Sequence, residues 1–398
     1  MDFDVWNSEK RRDCHALYRR MREVSPVHRA LGPLSGHPYW FLTRYADATA
    51  MLRDPRFGMD VEKAVPDIRS RPYAFAFMIL KGTMLYADPP AHTRLRGLVD
   101  RAFVPTMIEG LRPSIEAAAG ALTVEVVRAG RFDFVKSFAN RLPLSVIAQL
   151  LGVPDADHEK FHAWSQAMMM LRSREETKAA FAAFQGYFKD LVAARRADPR
   201  GDLISMMVQV EEGGDRLTER EIIASIGFLV STGHETVASF LGNCVFTLLT
   251  RPDLLEQLRS DDALWPTAIE ELLRCEGSIE CALPRFAYTD VEIDGHTIAR
   301  GDAVFACLLA ANRDPAVFER PDEIDLRRKP NRHIAMGAGV HYCLGGRLGR
   351  LQAEIALRTL FAAAPGLRLD VDPATVEWIS QSGEKLGVHG VRALPLAL

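Results

Sequence analysis

Cys343 stands in a sequence context that suits a metal ligand. It is the cysteine of the motif Gly337-x-Gly339-x-His341-x-Cys343-x-Gly345, and a helical pattern follows it as far as Ala364. Free backbone N–H groups and the positive end of the helix dipole favour a thiolate at such a position. The glycines permit a tight loop that a flat ligand can approach closely. A structural glycine turn around a buried cysteine explains the same residues, so both interpretations stay open at this point.

A second group of polar residues lies in the middle of a long helical pattern. The capping box Thr218-Glu219-Arg220-Glu221 marks its start, and the pattern continues to Thr250. At about 1.5 Å per residue, such a helix crosses a globular domain, so its middle must be buried. That middle reads Ser231-Thr232-Gly233-His234-Glu235-Thr236. Buried polar residues of this kind form either a hydrogen-bonded internal network or a functional site, and the segment alone favours neither.

A shorter helix is predicted from Pro266 to Glu276, with Gly277 suited to end it. Glu271 and Arg274 lie on one face of this helix. Taken alone, these two residues predict no more than a surface ion pair, worth a few tenths of a kcal/mol.

The composition describes a large, nearly neutral and mainly helical protein. Of 398 residues, 48% are hydrophobic, and 49 basic side chains nearly balance 52 acidic ones, which argues against nucleic acid or an anionic membrane as a partner. Helical spacing prevails from about residue 111 to residue 364, and strands are expected at 39–43, at 291–298 with an Asp294-Gly295 turn, and at 387–393. No linker or low-complexity stretch interrupts the chain, so we expect one domain over residues 1–398.

The cysteines and the N-terminus indicate a reducing compartment. The cysteines are too few and too scattered for a disulfide framework, and no Cys-x-x-Cys pair suggests zinc. Five of them are expected to be small buried apolar side chains. Residues 1–20 lack the apolar run of a signal peptide or a spanning helix, so a cytoplasmic location is expected. The six cysteines are Cys14, Cys244, Cys275, Cys281, Cys307 and Cys343.

Together, these motifs resemble those of the cytochrome P450 family. The glycine-rich motif around Cys343 is similar to the family's cysteine-ligand loop, Glu271-x-x-Arg274 to its Glu-x-x-Arg helix, and Gly233-His234-Glu235-Thr236 to its oxygen-binding helix. Two further stretches, 88–96 and 311–315, are similar to segments of its soluble bacterial members. Five motifs in the family's order, over nearly the whole chain, leave little room for coincidence. The resemblance implies the cytochrome P450 fold, mainly α with small β-sheets and a long central helix over a haem.

The resemblance also implies a site for haem b (iron protoporphyrin IX). It makes Cys343 the axial thiolate ligand of the iron, with Gly345 in the same loop. The buried ion network implied to support this loop consists of Glu271, Arg274 and Arg328. Buried propionates need cationic and hydrogen-bonding partners, and the residues implied to hold them are His92, Arg96, Arg285 and His341.

For Glu235 and Thr236, the resemblance implies the acid and the alcohol that deliver protons while the O–O bond breaks. Two residues depart from the family pattern. Met336 stands where Phe is usual, which bears on the redox potential. Thr232 stands where Ala or Gly is usual, and its hydroxyl either alters the distal water and access to the iron or bonds back to a helix carbonyl.

The implied substrate pocket is apolar. Residues 73–85 precede the Asp88 stretch, where the family places a loop over the substrate, and they are rich in apolar side chains. The run Met168-Met169-Met170 suits an irregular ligand, but ordinary core packing explains it equally well. The candidate pocket residues are Phe77, Met84, Phe228, Ser231, Thr232 and Leu283.

The implied activity is insertion of one oxygen atom from O2 into a small or medium-sized apolar compound, in natural-product tailoring or catabolism. No flavin or iron–sulfur signature is present, so electrons from NAD(P)H are expected through an external ferredoxin and ferredoxin reductase. Arg347 and Arg350 dock this acidic partner, form a solvated helix face or lie beside the propionates. We expect a monomer, without a nucleic-acid or membrane partner.

Two alternatives to hydroxylation remain. One is an enzyme of the same family with another outcome, such as phenol coupling, desaturation, epoxidation or nitration. The other is a non-catalytic haem sensor. The presence of both Glu235 and Thr236 favours oxygen activation, because a proton relay is useful only if the O–O bond must break.

Overall fold

Helices form most of the computed structural model, which describes residues 3–6, 14–33, 36–65, 82–170, 174–379 and 387–398. The α-helices among these residues are Cys14–Val24, Tyr45–Arg53, Val61–Ala64, Ala91–Ala102, Pro105–Gly110, Arg112–Ala129, Arg141–Leu151, His158–Met170, Arg174–Ala197, Leu203–Gln209, Glu219–Gly233, Glu235–Thr250, Pro252–Ser260, Trp265–Glu276, Leu308–Ala311 and Gly346–Ala363. None of the helices in the described ranges combines the length and the apolar character that crossing a membrane requires.

Short strands form small sheets beside the helices. The strands are β1 Val27–Leu31, β2 Pro38–Leu42, β3 Phe57–Gly58, β4 Arg131–Asp133, β5 Glu211–Glu212, β6 Asp215–Arg216, β7 Arg285–Ala287, β8 Val291–Ile293, β9 His296–Ile298, β10 Ala303–Ala306, β11 Arg368–Leu369 and β12 Pro395–Ala397. The largest sheet has the order β1-β2-β10-β7-β3. Within it, β10 pairs with β2 in parallel, whereas the other neighbours are antiparallel.

Two of the strand predictions have different outcomes. The hairpin of β8 and β9 is confirmed, and its turn residues Asp294 and Gly295 have positive φ angles of 49° and 75°. The strand predicted at 387–393 is wrong, because Val388 and Val391 make only isolated bridges to two different partners, Ile279 and Trp378. A continuous ladder cannot form when the partner changes in this way, and regular pairing begins at β12.

The main hydrophobic core lies between the helices that carry the polar motifs. It joins Arg112–Ala129, Arg141–Leu151, Glu235–Thr250 and Gly346–Ala363 through buried leucine, valine, isoleucine and phenylalanine side chains. Smaller cores cover the two faces of the largest sheet. The helix that follows Cys343 therefore packs directly against the C-terminal half of the long helical segment.

The long helix predicted from Glu219 to Thr250 is interrupted at His234. Its start is as predicted, since Thr218 and Glu221 form both hydrogen bonds of a capping box. At the interruption, the Thr236 hydroxyl donates to the Thr232 carbonyl at 2.8 Å. In a continuous helix, the backbone N–H of Thr236 would occupy that carbonyl, so the side chain replaces a backbone bond and the helix bends.

Candidate active site

The loop around Cys343 is closed by backbone hydrogen bonds. The Cys343 N–H donates to the Met336 carbonyl at 3.0 Å, and the Gly337 N–H donates to the Ile334 carbonyl at 2.8 Å. The following helix begins at Gly346, so Cys343 lies just before its first turn. The other five cysteines are buried, as predicted, whereas Cys343 is exposed.

The environment of Cys343 acts on its thiol in two directions. The protein atoms packed around the sulfur desolvate it, which raises the pKa of the thiol, although the residue as a whole is exposed. The Gly345 N–H and the positive charges of Arg96 and Arg350 act in the opposite direction and lower that pKa. The helix start therefore favours the thiolate as predicted, but it does not outweigh desolvation, so a metal ion would be needed to hold the sulfur deprotonated at neutral pH.

Two glycines of the loop are required for different reasons. Gly337 and Gly339 have φ angles of 76° and 74°, which L-residues rarely adopt. A Cβ on Gly339 would lie 2.3 Å from the carbonyl oxygen of Leu52, which is backbone and cannot easily move. The close approach of Leu52 is therefore one reason why residue 339 is a glycine. The approach of a flat ligand to this loop stays a prediction.

Glu271 and Arg274 form a completely buried ion pair, so the surface pair suggested by their spacing alone is wrong. Both are 0% exposed, and two hydrogen bonds of 2.8 Å join the guanidinium to the two carboxylate oxygens. Arg328 donates to the same carboxylate at 3.0 and 3.1 Å, and Asn331 adds a bond of 3.0 Å. Burial opposes ionisation of Glu271, but these donors hold its pKa below the usual value.

This network reaches the cysteine loop through Asn312. Arg274 donates to the Asn312 carbonyl at 2.9 Å, and the Asn312 side chain accepts the Ile334 N–H at 2.7 Å. The Ile334 carbonyl in turn accepts the N–H of Gly337, the first glycine of the loop. The structure thus brings the three predicted network residues together and connects them to the segment that carries Cys343.

A second ion network, which the sequence analysis missed, lies beside the first. Glu270 accepts bonds from Arg350 at 2.5 Å and from His333 at 3.0 Å. Burial opposes ionisation, but these partners lower the pKa of Glu270 to about 2. Arg350 is therefore held by Glu270 and is only partly exposed, while Arg347 is exposed, and docking of an electron donor at these arginines stays a prediction. The adjacent acidic pair Glu270-Glu271 was the available signal, since neighbouring helix residues point in different directions.

Imidazole and guanidinium groups converge on one side of the cysteine loop. The rings of His92 and His341 lie 4.2 Å apart, and Arg285 is only 6% exposed. Burial, together with the neighbouring cations, lowers the pKa of His341 to about 2, and burial lowers that of Arg285 to about 10. Within the described residues, no hydrogen-bond partner meets His92 Nδ1 or His341 Nε2.

This cationic cluster suits an anionic ligand. The nearby carboxylate of Asp88 already accepts the backbone N–H groups of Met59 and Asp60, at 2.9 and 3.1 Å, and the Tyr288 hydroxyl. Arg96 extends from the same region and pairs with Asp100 at 2.8 Å. A buried guanidinium and two shielded imidazole nitrogens fit the two carboxylates of the haem that the resemblance implies.

The interrupted helix presents Glu235 and Thr236 next to one another. Burial raises the pKa of Glu235, and its carboxylate has no hydrogen-bond partner among the described side chains and backbone groups. His234 anchors the interruption by donating from Nε2 to the Asn140 carbonyl at 3.0 Å, and burial lowers its pKa to about 4. A Cβ on Gly233 would approach Ile147 Cδ1 at 3.1 Å, so this turn packs tightly against the neighbouring helix.

The two halves of the site meet through helix packing. A Cβ on Gly349, in the helix after Cys343, would contact Val237 Cγ2 at 3.9 Å, and Val237 directly follows Thr236. The cysteine loop and the acid–alcohol pair are thus fixed relative to one another by the main core.

The candidate pocket residues are only partly brought together. Ser231 and Thr232 both donate their hydroxyls to the Phe228 carbonyl, at 3.0 and 2.8 Å, so Thr232 bonds back to its own helix. Met84 is buried in the main core, and Leu283 is 40% exposed. Phe77 lies outside the described residues, as do the side chains of residues 168–170.

Comparisons with known proteins agree with one another. The family model described as Cytochrome P450 matches residues 158–382. "Polyketide biosynthesis cytochrome P450 PksS" from Bacillus subtilis is 38% identical over 95% of this chain and 94% of its own length. Its solved structure covers 100% of both chains with a TM-score of 0.92. "Cytochrome P450 monooxygenase PikC" from Streptomyces venezuelae is 36% identical over 100% of this chain and 94% of its own. "Mycinamicin IV hydroxylase/epoxidase" from Micromonospora griseorubida is 39% identical over 96% of each chain.

Proposed function

The chain belongs to the cytochrome P450 family, and from this premise we propose that it inserts one oxygen atom from O2 into an apolar natural product, with Cys343 as the thiolate ligand of a haem iron. The observation that carries the proposal is the position of the cysteine loop. It lies beside a group of guanidinium and imidazole side chains that suits two carboxylates, and helix packing connects it to a half-buried acid–alcohol pair.

The residues around the cysteine loop bind and orient the cofactor. A bound haem b supplies the iron at which O2 is activated. Cys343 donates electron density through its sulfur, and the Glu271–Arg274 network holds the loop that carries it. Arg285, His92, His341 and Arg96 would hold the propionates, while Gly345 donates its N–H to the cysteine sulfur.

Glu235 and Thr236 handle the protons that oxygen activation consumes. Burial raises the pKa of the Glu235 carboxyl, so its proton is held more tightly than that of an exposed glutamate, as suits a proton donor. Thr236 donates to Thr232 and keeps its oxygen available to accept a further hydrogen bond. Together they would supply an acid and a hydroxyl for proton delivery when haem and O2 are bound.

The substrate is an apolar compound of small or medium size from natural-product metabolism. The printed names of the relatives, which include a polyketide biosynthesis enzyme and a mycinamicin hydroxylase/epoxidase, support this class. The second of these names also supports epoxidation as an alternative outcome when the substrate offers a double bond.

Turnover under ¹⁸O2 tests this function. The haem-loaded protein, NADH, a ferredoxin and its reductase would be incubated with a panel of macrolide and other polyketide compounds. We expect a product that gains one ¹⁸O atom, and we expect Thr236→Ala to consume NADH with little product. Products labelled only from water, or no labelled product across the panel, would contradict a monooxygenase.

The remaining partners follow from the same proposal. Electrons come from NAD(P)H through a ferredoxin and a ferredoxin reductase, which dock near the exposed Arg347 on the helix that follows Cys343. The enzyme acts as a cytoplasmic monomer.

A further inference from the structure

Three metal-ligating side chains meet at a place remote from Cys343 in the sequence and outside the proposed active site. Cys14 and His15 begin the helix Cys14–Val24, and His389 lies in the last described segment of the chain. One ligand atom of each residue, a thiol sulfur and two ring nitrogens, lies within 4.8 Å of the other two. We propose that these three residues bind a zinc ion that fastens the N-terminal helix to the C-terminal segment.

An orphaned nitrogen at this place independently indicates a ligand. The Nδ1 atom of His15 is shielded from solvent and has no hydrogen-bond partner among the described residues. A buried polar atom without a partner costs free energy, and a metal ion removes that cost by coordination. The rings of His15 and His389 are edge-to-face, with centroids 6.1 Å apart, as two imidazoles that share one ion can be.

His389 is held in place before any ion binds. Its backbone N–H donates to the Ser278 carbonyl at 2.7 Å, and its carbonyl accepts a bond of 3.0 Å from the Asn243 side chain. Its ring stacks on Trp378 at 4.7 Å with an interplanar angle of 18°. A ligand fixed in this way loses little conformational freedom on coordination, which raises the affinity of the site.

The donor set favours zinc over other divalent ions. One thiolate and two imidazoles are ligands of Zn²⁺, which takes four of them in a tetrahedron, and a water molecule supplies the fourth here. Mg²⁺ and Ca²⁺ require oxygen ligands, which this set lacks. Sequence motifs do not indicate this site, because zinc motifs are recognised from short spacings and His389 is far from Cys14 and His15 in the chain.

The cations near this place are paired with carboxylates. Burial lowers the pKa of His15, and Arg313, His389 and Arg19 act on it in the same direction. Arg313 is paired with Glu276 at 3.3 Å and with Asp322 at 3.4 Å, and Arg19 is paired with Asp322 at 3.1 Å. The carboxylates therefore neutralise the arginines, and the Cys14 thiolate adds a negative charge at the ion itself.

Metal content of the untagged, haem-loaded protein tests the proposal. The protein would be equilibrated with buffered zinc at a free concentration of about 1 µM, which a structural site should saturate, and zinc and iron would be measured by mass spectrometry. We expect about one zinc per chain, lost in Cys14→Ser and in His15→Gln. The matched control is Cys244→Ala, which removes a buried cysteine that is outside the triad and should keep its zinc. Zinc-free wild type, or zinc retained in both triad variants, would overturn the proposal.

A measurement on the wild-type protein covers the case in which the variants do not fold. Competition with a chromophoric zinc chelator gives the affinity, and thermal unfolding with and without the chelator shows whether the ion stabilises the fold. We expect tight binding and a lower Tm after zinc removal. An unchanged Tm would overturn the fastening role. Iron content is recorded separately, so failure of the zinc site is distinguishable from failure of the haem site.

Discussion

At the scale of single residues, the proposed role of Glu235 and the stability of the fold oppose one another. Burial raises its pKa, which suits proton delivery but makes the ionised form unfavourable in the folded protein. A group of this kind stabilises the fold fully below its unfolded pKa, and the contribution is lost as the pH rises through the folded value. The proposed proton delivery by Glu235 would therefore lower the free energy of unfolding at neutral pH.

We predict that Glu235→Gln raises the free energy of unfolding at neutral pH while it lowers product formation. Glutamine cannot ionise. The gain in free energy of unfolding should therefore be small near pH 4.5, the ordinary pKa of a glutamate, and should grow as the pH rises. Urea unfolding of the haem-loaded protein at several pH values measures the difference. The exposed Glu256→Gln serves as control and should show no such growth. A pH-independent difference for Glu235→Gln would contradict the burial of this carboxyl.

The two glycines of the cysteine loop form a natural pair for a second test. An alanine at Gly337 meets only the strain of a positive φ angle, about 1–2 kcal/mol. At Gly339, the same strain is joined by a contact of 2.3 Å with the Leu52 carbonyl. We predict that Gly339→Ala loses more stability and more haem than Gly337→Ala, as measured by urea unfolding and haem content. Equal losses would show that the Leu52 contact is unimportant.

At the scale of elements, the buried network ties the helix Trp265–Glu276 to the segment before the cysteine loop. Arg274 donates to the carbonyls of Asn312, Pro321 and Glu323 as well as to Glu271, and no single neighbour can replace it. Buried charged hydrogen bonds of this kind favour one arrangement of the chain, because a displaced partner would leave a charge or a carbonyl unpaired. Loss of the network should therefore destabilise the cysteine loop as well as the helix.

We predict that Arg274→Met destabilises the protein by about 3–5 kcal/mol and releases haem, because Glu271 loses its buried partner and keeps Arg328, Asn331 and the Asp325 N–H, while three carbonyls lose a donor. The control is Arg320→Met, which removes an exposed pair with Glu323 and should change stability by less than about 1 kcal/mol. Chemical unfolding measures the stability of the two variants, and their haem content shows whether haem is released. Similar values for the two variants would contradict the structural role of the network.

The same elements show what the sequence could predict. The end of the helix at Gly277 and the capping box at Thr218 depend on neighbouring residues, and both were predicted. The interruption at His234 depends on contacts with Asn140 and Ile147, which are distant in the chain. Burial of the Glu271–Arg274 pair likewise depends on partners from residues 312–331. Local periodicity contains no information on such contacts, so only the family resemblance indicated the network.

At the scale of the whole molecule, the net charge of −3 gives no general attraction for an acidic electron donor. The proposed docking would therefore depend on local charge near the cysteine loop, where Arg347 is exposed and Arg350 is held by Glu270. This difference separates two arginines that the sequence treated alike.

We predict that Arg347→Glu slows reduction by ferredoxin at low salt and that the difference from wild type disappears at high salt. Stopped-flow reduction under carbon monoxide measures the rate. The exposed Arg29→Glu, on the large sheet, is the matched control and should leave the rate unchanged. A rate that does not depend on salt for wild type and Arg347→Glu alike would contradict docking at this position.

The most direct test of the proposed function is the absorption spectrum of the dithionite-reduced protein under carbon monoxide, recorded beside Cys343→Ser. We predict the red-shifted Soret band from which the family takes its name, and its loss in the variant, because only thiolate ligation by Cys343 produces it. A histidine-type band that is the same in both proteins, or a protein that binds no haem, would contradict the assignment of Cys343 and with it every role proposed for the surrounding residues.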